Sequence, residues 1–483
     1  MEKRVAIVGA GISGLLACKY AASKGFSPIV FEAQEQVGGL WNHTIESTRL
    51  QVPKETFEFS DFPWPSSAET FPHNTQLLDY LQSYAQKFQI LQYIKFNTKV
   101  ISIDYVGDDD DDMQFWELWG GDGKAFGSKG KWHLKVIDTK QDEIKEYVAE
   151  FVVLCIGRFS GLPDIPEFPS GCGPDVFSGK VLHSMDFAAM DNATAAELIK
   201  GKNVAIIGSG KSAVDIAYEI ANKNGNDKPC TMILRTVHWM LTDSNPWGVS
   251  LGYLCFNRFT ELLVHKPGEG FFSSVLATML SPLRWAISKF IESYVRWKLP
   301  LKKYDMIPNE SFLQEASSCQ LFFLPDDFYD KVENGSIVLK KTQKVSFCRE
   351  GLILDGEKSP LKADIVILAT GYKGDEKLKN IFANTTFHKW IQGSPNSIVP
   401  LYSDQAFQLP SIKEMERDIE NWDKYMKKYA GNGKFRRSCI GGAHIWYVDQ
   451  LCKDIGFNPR RKKGIFSEFF QPYGIGDYKA LGP

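Results

Sequence analysis

The chain has 483 residues, of which 43% are hydrophobic and 13% are aromatic. A chain of this length forms two or three domains, and its apolar content excludes a disordered or fibrous protein. With 56 Lys and Arg residues against 58 Asp and Glu residues, the net charge of −2 excludes an overall basic footprint for nucleic acid. The strongest local candidate, the basic run from Arg460 to Lys463, is short and is interpreted as a solvated loop.

The cysteine pattern and the apolar stretches predict a cytoplasmic protein without a transmembrane segment. Nine cysteines include no CxxC pair, which favours free thiols in a reducing compartment and argues against a disulfide-reductase flavoenzyme. A strand predicted from Arg4 leaves no room for a signal or transit peptide. The apolar stretch from Phe271 to Trp297 is interrupted by Pro282 and by charged residues, so it does not span a bilayer. A helix packed on a core is the favoured interpretation, and a membrane-surface helix is the alternative.

The first predicted unit opens with a strand, a glycine turn and a helix in residues 5–14 (VAIVGAGISG). Gly9 permits the tight turn, Gly11 lets the backbone approach a pyrophosphate, and Gly14 lets the helix pack closely on the strand. The helix N-terminus offers free N–H groups to phosphates. A second strand ends at Glu32, which is placed to accept hydrogen bonds from a ribose diol. This pattern predicts an adenine-dinucleotide site.

A second glycine pair follows at once in Gly38, Gly39, Leu40 and Trp41. An ordinary turn is one interpretation. A second close approach of backbone to the dinucleotide is the favoured one, and it indicates FAD rather than NAD. Further along, residues 114–148 predict Trp- and Gly-rich strands. The five aspartates at 108–112 are interpreted as a solvated hairpin loop, so no metal site is predicted.

The same strand, turn and helix recur in residues 204–213 (VAIIGSGKSA), with Gly208, Gly210 and Ser212 in the turn. Ala213 replaces the third glycine, which the pattern tolerates. The next strand ends in Arg235 and Thr236, with no acid where a ribose diol would be bound. Arginine pairs with a 2′-phosphate through two parallel hydrogen bonds, so this strand end predicts NADPH rather than NADH. The alternative is an arginine that is merely solvated.

Two further apolar strands predict how the units connect. Residues 151–157 (FVVLCIG) and 365–371 (IVILATG) each end in glycine, and each is expected to cross a domain boundary. The predicted fold class is therefore α/β, with two nested dinucleotide-binding Rossmann-like domains. The FAD-binding domain is predicted to occupy residues 1–165 and to return at 331–483 with the C-terminal region, around an NADPH-binding domain at 166–330.

Residues 177–187 (FSGKVLHSMDF) fit the pattern FxGxxxHxxx(Y/F), which lies ahead of the second glycine turn. This pattern resembles the signature of flavin-containing monooxygenases and their Baeyer–Villiger relatives. Residues 57–64, 288–294, 369–372 and 467–478 resemble the plant branch, which includes the pipecolate N-hydroxylase. Taken alone, His183 is a structural histidine, and the resemblance assigns it to domain coupling rather than to proton transfer.

The resemblance implies an NADPH-dependent flavin monooxygenase that passes oxygen from a flavin hydroperoxide to a nitrogen or sulfur of a small molecule. Its partners would be dioxygen and an amine or thioether. Residues 71–75 (FPHNT) resemble the family segment whose asparagine lies beside the flavin, which assigns the catalytic role to Asn74. Without the resemblance, Asn74 equally fits a cap for a helix beginning near Gln76. A Baeyer–Villiger ketone oxygenase and a degenerate member without turnover are the alternatives.

One departure from the family follows Tyr402. The family continues there with a core strand and a helix that lines the flavin, whereas this chain runs almost directly into residues 404–413 (DQAFQLPSIK). Loss of a central strand exposes apolar faces and unpaired backbone groups. Either another strand substitutes for it, or the chain is a splice or gene-model variant with impaired FAD binding.

Overall fold

The structure is a computed structural model that describes residues 3–107, 130–157, 159, 161–378, 381–384, 387–388, 412–429, 443–454 and 456–481. The aspartate run at 108–112 and the departure after Tyr402 lie outside these residues.

Within the described residues, four parallel strands form the first sheet. Their spatial order is Ile94–Lys95, Ser27–Phe31, Arg4–Val8 and Phe151–Leu154. Apart from Arg4, Ser27 and Lys95 at strand ends, the strands are apolar, as expected for a parallel sheet that is covered on both faces. The first nucleotide helix, Ile12–Ser23, buries Leu15 and Cys18 in the core beneath the sheet. Helix Asn74–Lys87 joins the same core, because its residues 77, 81 and 84 recur at helical spacing and are buried. This sheet and its helices are called the first unit.

Five parallel strands form the second sheet. Their order is Ile337–Lys341, Cys230–Leu234, Val204–Ile207, Ile365–Leu368 and Lys180–His183. The second nucleotide helix, Lys211–Asn224, packs on this sheet through an apolar face that includes Ala213, Ile216 and Ile220. This sheet and its helices are called the second unit. The chain therefore leaves one Rossmann-like unit and builds a second, which confirms the predicted nested α/β fold.

The second unit extends past the predicted boundary at residue 330. Strands Ile337–Lys341 and Ile365–Leu368 both belong to the second sheet, so the boundary at 330 is wrong and the return follows Leu368. Strand Ile365–Leu368 lies at the centre of the sheet, between Val204–Ile207 and Lys180–His183, and all four of its residues are buried. Its long-range pairing places it in the second sheet, although 157 residues separate it from its neighbour Val204–Ile207 in the chain.

The corresponding strand of the first sheet, Phe151–Leu154, has a different environment. Within the described residues it pairs only with Arg4–Val8, so it forms the edge of the sheet, and all four of its residues are half-buried. An apolar parallel strand is normally covered on both sides. Within the described residues the first sheet therefore ends at Phe151–Leu154, whereas in the second sheet strand Lys180–His183 follows the corresponding strand.

Smaller elements surround the two sheets. Three antiparallel strands lie beside the first sheet: Thr98–Val106, Lys131–Asp138 and Ile144–Ala149. Another three lie beside the second sheet: Val345–Cys348, Gly351–Leu354 and Leu361–Lys362. Met240–Leu241 pairs with Phe322–Phe323. The other α-helices are Ser184–Ala188, Asn192–Ile199, Leu251–Cys255, Arg258–Leu262, Phe271–Met279, Ser281–Lys298, Phe312–Ser317, Phe328–Glu333, Ile412–Tyr429, His444–Asp454 and Ile465–Phe470.

The apolar stretch from Phe271 to Trp297 forms two helices, Phe271–Met279 and Ser281–Lys298, rather than one packed helix. The second helix buries Ile291, Tyr294 and Val295, but many apolar side chains of the pair are exposed. Within the described residues, no helix is long and apolar enough to cross a membrane. The cytoplasmic location stays a prediction.

Two local expectations from the sequence need correction. Cys319 is disulfide-bonded, whereas seven other described cysteines are free thiols, so the expectation of free thiols is wrong at Cys319. The basic run is only partly solvated. Arg461 donates to the carbonyl of Asp477, and the ammonium of Lys462 lies 2.7 Å from the carboxylate of the same residue.

Candidate functional site

The first glycine turn is formed by close backbone approaches. Gly9 has a φ of +101°, and a Cβ there would lie 2.5 Å from the carbonyl oxygen of Cys155. A Cβ on Gly14 would lie 1.9 Å from the carbonyl oxygen of Gly9. A side chain at either position would displace backbone, so the turn requires glycine at both. The turn ends at Gly11, the N-cap of the first nucleotide helix.

Glu32 lies directly after strand Ser27–Phe31 and is buried. One carboxylate oxygen accepts the N–H of Ala10 at 2.6 Å, and the other accepts the N–H of Gln34 at 3.0 Å. These bonds hold the carboxylate against the glycine turn. Each oxygen keeps a further lone pair, which a ribose hydroxyl can use.

The second glycine pair lies against the first turn. Gly38 and Gly39 have φ values of +127° and +58°, and a Cβ on Gly39 would lie 3.1 Å from the Cα of Gly11. The short 3₁₀ helix Gly39–His43 follows, with Leu40 exposed and Trp41 half-buried. The structure thus brings both predicted glycine turns of the first unit together, as a close approach of backbone to a dinucleotide requires.

Asn74 is buried at the first position of helix Asn74–Lys87, with His73 as the N-cap. The helix therefore begins two residues before the expected position near Gln76. The Asn74 amide nitrogen lies 3.1 Å from the hydroxyl of Thr44, and that hydroxyl donates to the carbonyl of Trp41 at 3.2 Å. This chain of bonds fixes the amide beside the predicted FAD turn.

The second glycine turn repeats the geometry of the first. Gly208 has a φ of +151°, and a Cβ there would lie 2.3 Å from the carbonyl oxygen of Ala369. Gly210 is the exposed N-cap of the second nucleotide helix, and a Cβ there would meet no heavy atom within 4 Å. Ser212 is exposed on the first turn of that helix. Open space in front of a helix N-terminus fits a bound pyrophosphate.

Arg235 and Thr236 follow directly after strand Cys230–Leu234, and both are exposed. Thr236 lines a small cavity together with Ser209 of the glycine turn and His238. The predicted NADPH residues therefore lie at the carboxyl end of the second sheet. This is the edge at which open α/β sheets bind nucleotides.

A contact between the two units was missed from the sequence. The hydroxyl of Thr48 donates to the carboxylate of Asp215 at 3.2 Å, and the ammonium of Lys211 lies 2.6 Å from the other oxygen. The backbone N–H of Asn74 donates to the carbonyl of Thr48 at 3.1 Å. Burial raises the pKa of Asp215, and the Lys211 ammonium acts against that rise. An aspartate on the apolar face of a helix, four residues after a lysine, was the available signal.

The two connections between the units run alongside each other. The N–H of Asp164 donates to the carbonyl of Gly371 at 2.9 Å, and the N–H of Lys373 donates to the carbonyl of Leu162 at 2.9 Å. His183 is buried, and its ring packs edge-on against Tyr372 at 5.6 Å between centroids. Burial lowers the pKa of His183. This histidine contacts the returning connection, a position that suits domain coupling.

Comparisons with known proteins agree with this geometry. The family model described as flavin-binding monooxygenase-like matches residues 2–380. The probable flavin-containing monooxygenase 1 of Arabidopsis thaliana is 38% identical, over 99% of this chain and 96% of the relative. That alignment spans 520 positions against the 483 residues of this chain, so at least 37 positions of the relative have no counterpart here.

Solved structures share the fold. A steroid monooxygenase bound to NADP superposes with a TM-score of 0.60 at 17% identity, over 100% of this chain and 97% of the other. The S-allyl-L-cysteine S-oxygenase of Allium sativum superposes with a TM-score of 0.52 at 18% identity. This match covers 95% of this chain and 89% of the other. Enzymes of the matched family use FAD and NADPH as cofactors. The chain belongs to the flavin-containing monooxygenases, enzymes that are NADPH-dependent flavoproteins.

Proposed function

We propose that this monooxygenase oxygenates a nucleophilic nitrogen or sulfur of a small molecule, and that N-hydroxylation of an amine is among its reactions. The observation that carries the proposal is the path of bonds from Asn74 through Thr48 and Asp215 to Lys211. This path joins the residue proposed to lie beside the flavin to the helix proposed to bind NADPH. The S-allyl-L-cysteine S-oxygenase, a protein of the same fold, acts on a sulfur atom, which supports this class of substrate.

Different residues bind the two cofactors. The backbone of Gly9, Gly11, Gly14 and Gly39 receives the FAD pyrophosphate, and Glu32 holds the ribose. Leu40 and Trp41 continue this FAD-binding segment in the short helix Gly39–His43. In the second unit, Gly208, Gly210 and Ser212 receive the NADPH pyrophosphate at the helix N-terminus, while Arg235 and Thr236 select the 2′-phosphate.

FAD, when bound, supplies the redox chemistry that uses NADPH and dioxygen. The role of Asn74 is to present its amide at the reacting edge of that site. Its bond to Thr44 fixes the amide before any ligand arrives, so no ordering is required during turnover. The buried surroundings keep out water, which would otherwise divert the reaction to hydrogen peroxide.

The first experiment is a flavin spectrum of the purified protein, before and after denaturation. A yellow protein that releases FAD, and oxidises NADPH with formation of an N-oxide, hydroxylamine or sulfoxide, supports the proposal. Amines, thioethers and ketones are offered in parallel. Oxygen insertion into ketones alone would instead assign the protein to the Baeyer–Villiger oxygenases. A protein that neither carries nor takes up FAD is not an oxygenase of either kind.

The positions of the Arabidopsis relative that have no counterpart here, at least 37 in number, favour a second candidate function, a member with weakened FAD binding and little turnover. Grafting the strand and helix of a family member between Tyr402 and Asp404 tests this reading. If the graft tightens FAD binding and raises the product yield per NADPH, the shorter chain is impaired. Equal affinity and yield mean that the missing segment is dispensable.

A further inference from the structure

His238 lies close to the two residues that are proposed to bind the 2′-phosphate of NADPH. It follows Arg235 by three residues and Thr236 by two, after the end of strand Cys230–Leu234. The histidine lines a small cavity together with Thr236 and with Ser209 of the second glycine turn. The other residues that line this cavity are apolar. A phosphate group that binds between the glycine turn and Thr236 therefore lies within reach of His238.

A buried carboxylate holds the imidazole of His238 in place. The Nδ1 of His238 lies 3.2 Å from one oxygen of Glu315, and the other oxygen accepts the backbone N–H of Trp239 at 2.6 Å. Glu315 is buried on helix Phe312–Ser317. The residues on either side of the histidine, Val237 and Trp239, are buried as well. The ring is therefore positioned before any ligand binds, which avoids the entropic cost of ordering a mobile side chain.

The contact with Glu315 determines which nitrogen of His238 is available to a ligand. A carboxylate only accepts hydrogen bonds, so Nδ1 carries a hydrogen and Nε2 is the remaining nitrogen. Within the described residues, Nε2 has no hydrogen-bonding partner. A phosphate oxygen also accepts, so Nε2 must carry a hydrogen to bind it, and the ring is then an imidazolium. The same positive charge stabilises the carboxylate of Glu315, because a buried charge requires a partner.

Arg235 by itself matches only part of a 2′-phosphate. Its side chain is exposed, and within the described residues the guanidinium has no hydrogen bond or ion pair. The amide of Gln343 donates to the backbone carbonyl of Arg235 at 3.0 Å, so the strand end is fixed although the guanidinium is not. A phosphate group carries three acceptor oxygens and about two negative charges. A guanidinium pairs with two oxygens and supplies one charge, so a second cation nearby completes the match.

We propose that His238, as an imidazolium positioned by Glu315, binds the 2′-phosphate of NADPH together with Arg235 and so contributes to the selection of NADPH over NADH. The inference rests on the proposed function, in which the second glycine turn and Arg235 bind NADPH. His238 is a coenzyme-binding residue in this arrangement. Glu315 is a positioning residue, because it acts on the phosphate only through the imidazole that it holds.

The experiment measures how tightly the full chain binds adenosine 2′,5′-bisphosphate and adenosine 5′-monophosphate, by isothermal titration calorimetry at slightly acidic pH, where a histidine side chain carries its charge. The two probes differ only in the 2′-phosphate, and their binding requires neither FAD nor turnover. The wild-type protein is expected to bind the bisphosphate more tightly.

His238→Gln keeps a donor for Glu315 but loses the positive charge, so it is expected to lower the preference for the bisphosphate about tenfold. His238→Lys restores a cation and should retain most of the preference. Glu315→Gln should lower the preference in the same direction and leave the affinity for adenosine 5′-monophosphate unchanged.

His265→Gln is the matched control, because His265 also pairs with a carboxylate, that of Glu269, but does not line the cavity. It is expected to leave both affinities unchanged, and the melting temperature of each variant shows whether it folds. An unchanged preference in His238→Gln overturns the inference. An equal loss of affinity for both probes also overturns it, as does a loss in His238→Lys as large as that in His238→Gln.

Arg235→Ala separates this inference from the proposed function. If Arg235→Ala loses the preference for the bisphosphate and His238→Gln keeps it, the NADPH site stands and the role of His238 is wrong. If the wild-type protein binds the two probes equally, the assignment of the site to NADPH is itself overturned, and the role of His238 with it.

Discussion

The hydroxyl of Thr48 donates to the carboxylate of Asp215 across the boundary between the two units, at 3.2 Å. Thr48 lies between the second glycine pair and Asn74, whereas Asp215 lies on the second nucleotide helix. Asp215 in turn contacts Lys211, whose ammonium donates to the carbonyl of Phe323 at 3.2 Å, and the N–H of Phe323 donates to Gln51 of the first unit at 2.9 Å. The relative position of the two nucleotide sites thus depends on a small set of polar contacts.

Thr48→Val is expected to slow hydride transfer from NADPH while leaving FAD content unchanged. The variant removes the only bond that the Thr48 side chain is described as making, and it leaves one oxygen of a buried carboxylate without that partner. The expected loss of stability is about 1–3 kcal/mol. Stopped-flow reduction of the flavin and thermal unfolding measure the two effects.

Tyr218→Phe is the matched control. Tyr218 is on the same helix, and its hydroxyl donates to Asp327 at 2.7 Å, but that bond lies wholly within the second unit. A similar loss of stability without slower reduction is expected. If both variants slow reduction equally, the contact across the boundary has no special role.

Arg235→Ala is expected to raise the Michaelis constant for NADPH roughly ten- to a hundredfold, because a charge-assisted pair with the 2′-phosphate is lost. The constant for NADH should barely change. Steady-state kinetics with both coenzymes measure the difference, with Lys223→Ala, an exposed cation at the far end of the second nucleotide helix, as the control. Equal losses for both coenzymes would mean that Arg235 is merely solvated.

Asn74→Ala is expected to keep FAD and to oxidise NADPH, but to release hydrogen peroxide in place of product, with about tenfold poorer coupling. The readouts are peroxide and product per NADPH. Gln76→Ala serves as the control, because Gln76 accepts from the N–H of His73 at the same helix start. Uncoupling in both variants would trace the defect to the helix start rather than to the Asn74 amide.

The two glycine turns predict opposite outcomes for alanine at Gly14 and at Gly210. At Gly14 the added Cβ would overlap the carbonyl oxygen of Gly9, so the variant is expected to lose FAD and its thermal stability. At Gly210 the Cβ would enter open space, so the fold should persist. NADPH affinity should fall about tenfold, since the methyl group would occupy the approach of the pyrophosphate. Unchanged NADPH affinity in Gly210→Ala would place the phosphate elsewhere.

The pH dependence of stability is expected to contain a contribution from Glu261. Burial raises the pKa of Glu261 from 4.5 to about 6, although the N–H of Trp446 donates to its carboxylate. A raised carboxyl pKa contributes stability that is fully present below pH 4.5 and is lost as the pH rises through about 6. The loss is about 2 kcal/mol.

Glu261→Gln should remove this pH-dependent loss. Between pH 4.5 and pH 6.5, the free energy of unfolding measured by chemical denaturation should therefore fall for the wild-type protein but not, by this amount, for the variant. Glu333→Gln, at an exposed ion pair with Lys303, is the control and should show no such change. Parallel curves for Glu261→Gln and the wild type would contradict the assignment.

The features that could be predicted from the sequence are those that depend on residues close together in the chain. Gly9, Gly14 and Gly208 were identified because a tight turn needs glycine at fixed offsets, and the structure places each against a backbone carbonyl. The domain boundary was misplaced because Ile365–Leu368 owes its position to pairing with strands far away in the chain. Local pattern carries no information on such pairing.

Helices Phe271–Met279 and Ser281–Lys298 show a second limit. Phe271, Val275 and Met279 recur at a spacing that describes a core helix and a membrane-facing helix equally well. The bond between Thr48 and Asp215 is a third case, because the sequence signals Asp215 by its place on an apolar helix face but does not identify Thr48 as its partner. The exposure of a helix face and the distance between two side chains depend on the fold, so the sequence pattern alone does not determine them.

The central position of Ile365–Leu368 has a consequence for synthesis on the ribosome. The four described strands of the first sheet lie within residues 4–154, so these strands can pair early. Strand Lys180–His183 pairs, within the described residues, only with Ile365–Leu368, and it emerges more than 180 residues before that partner. During elongation, strand Lys180–His183 therefore stays unpaired within the nascent second sheet until Ile365–Leu368 is made. In a chain that stops before Leu368, strand Lys180–His183 lacks this described neighbour. Because domains generally fold as units during translation, the inner unit can complete its sheet only after its last strand, Ile365–Leu368, has been synthesised.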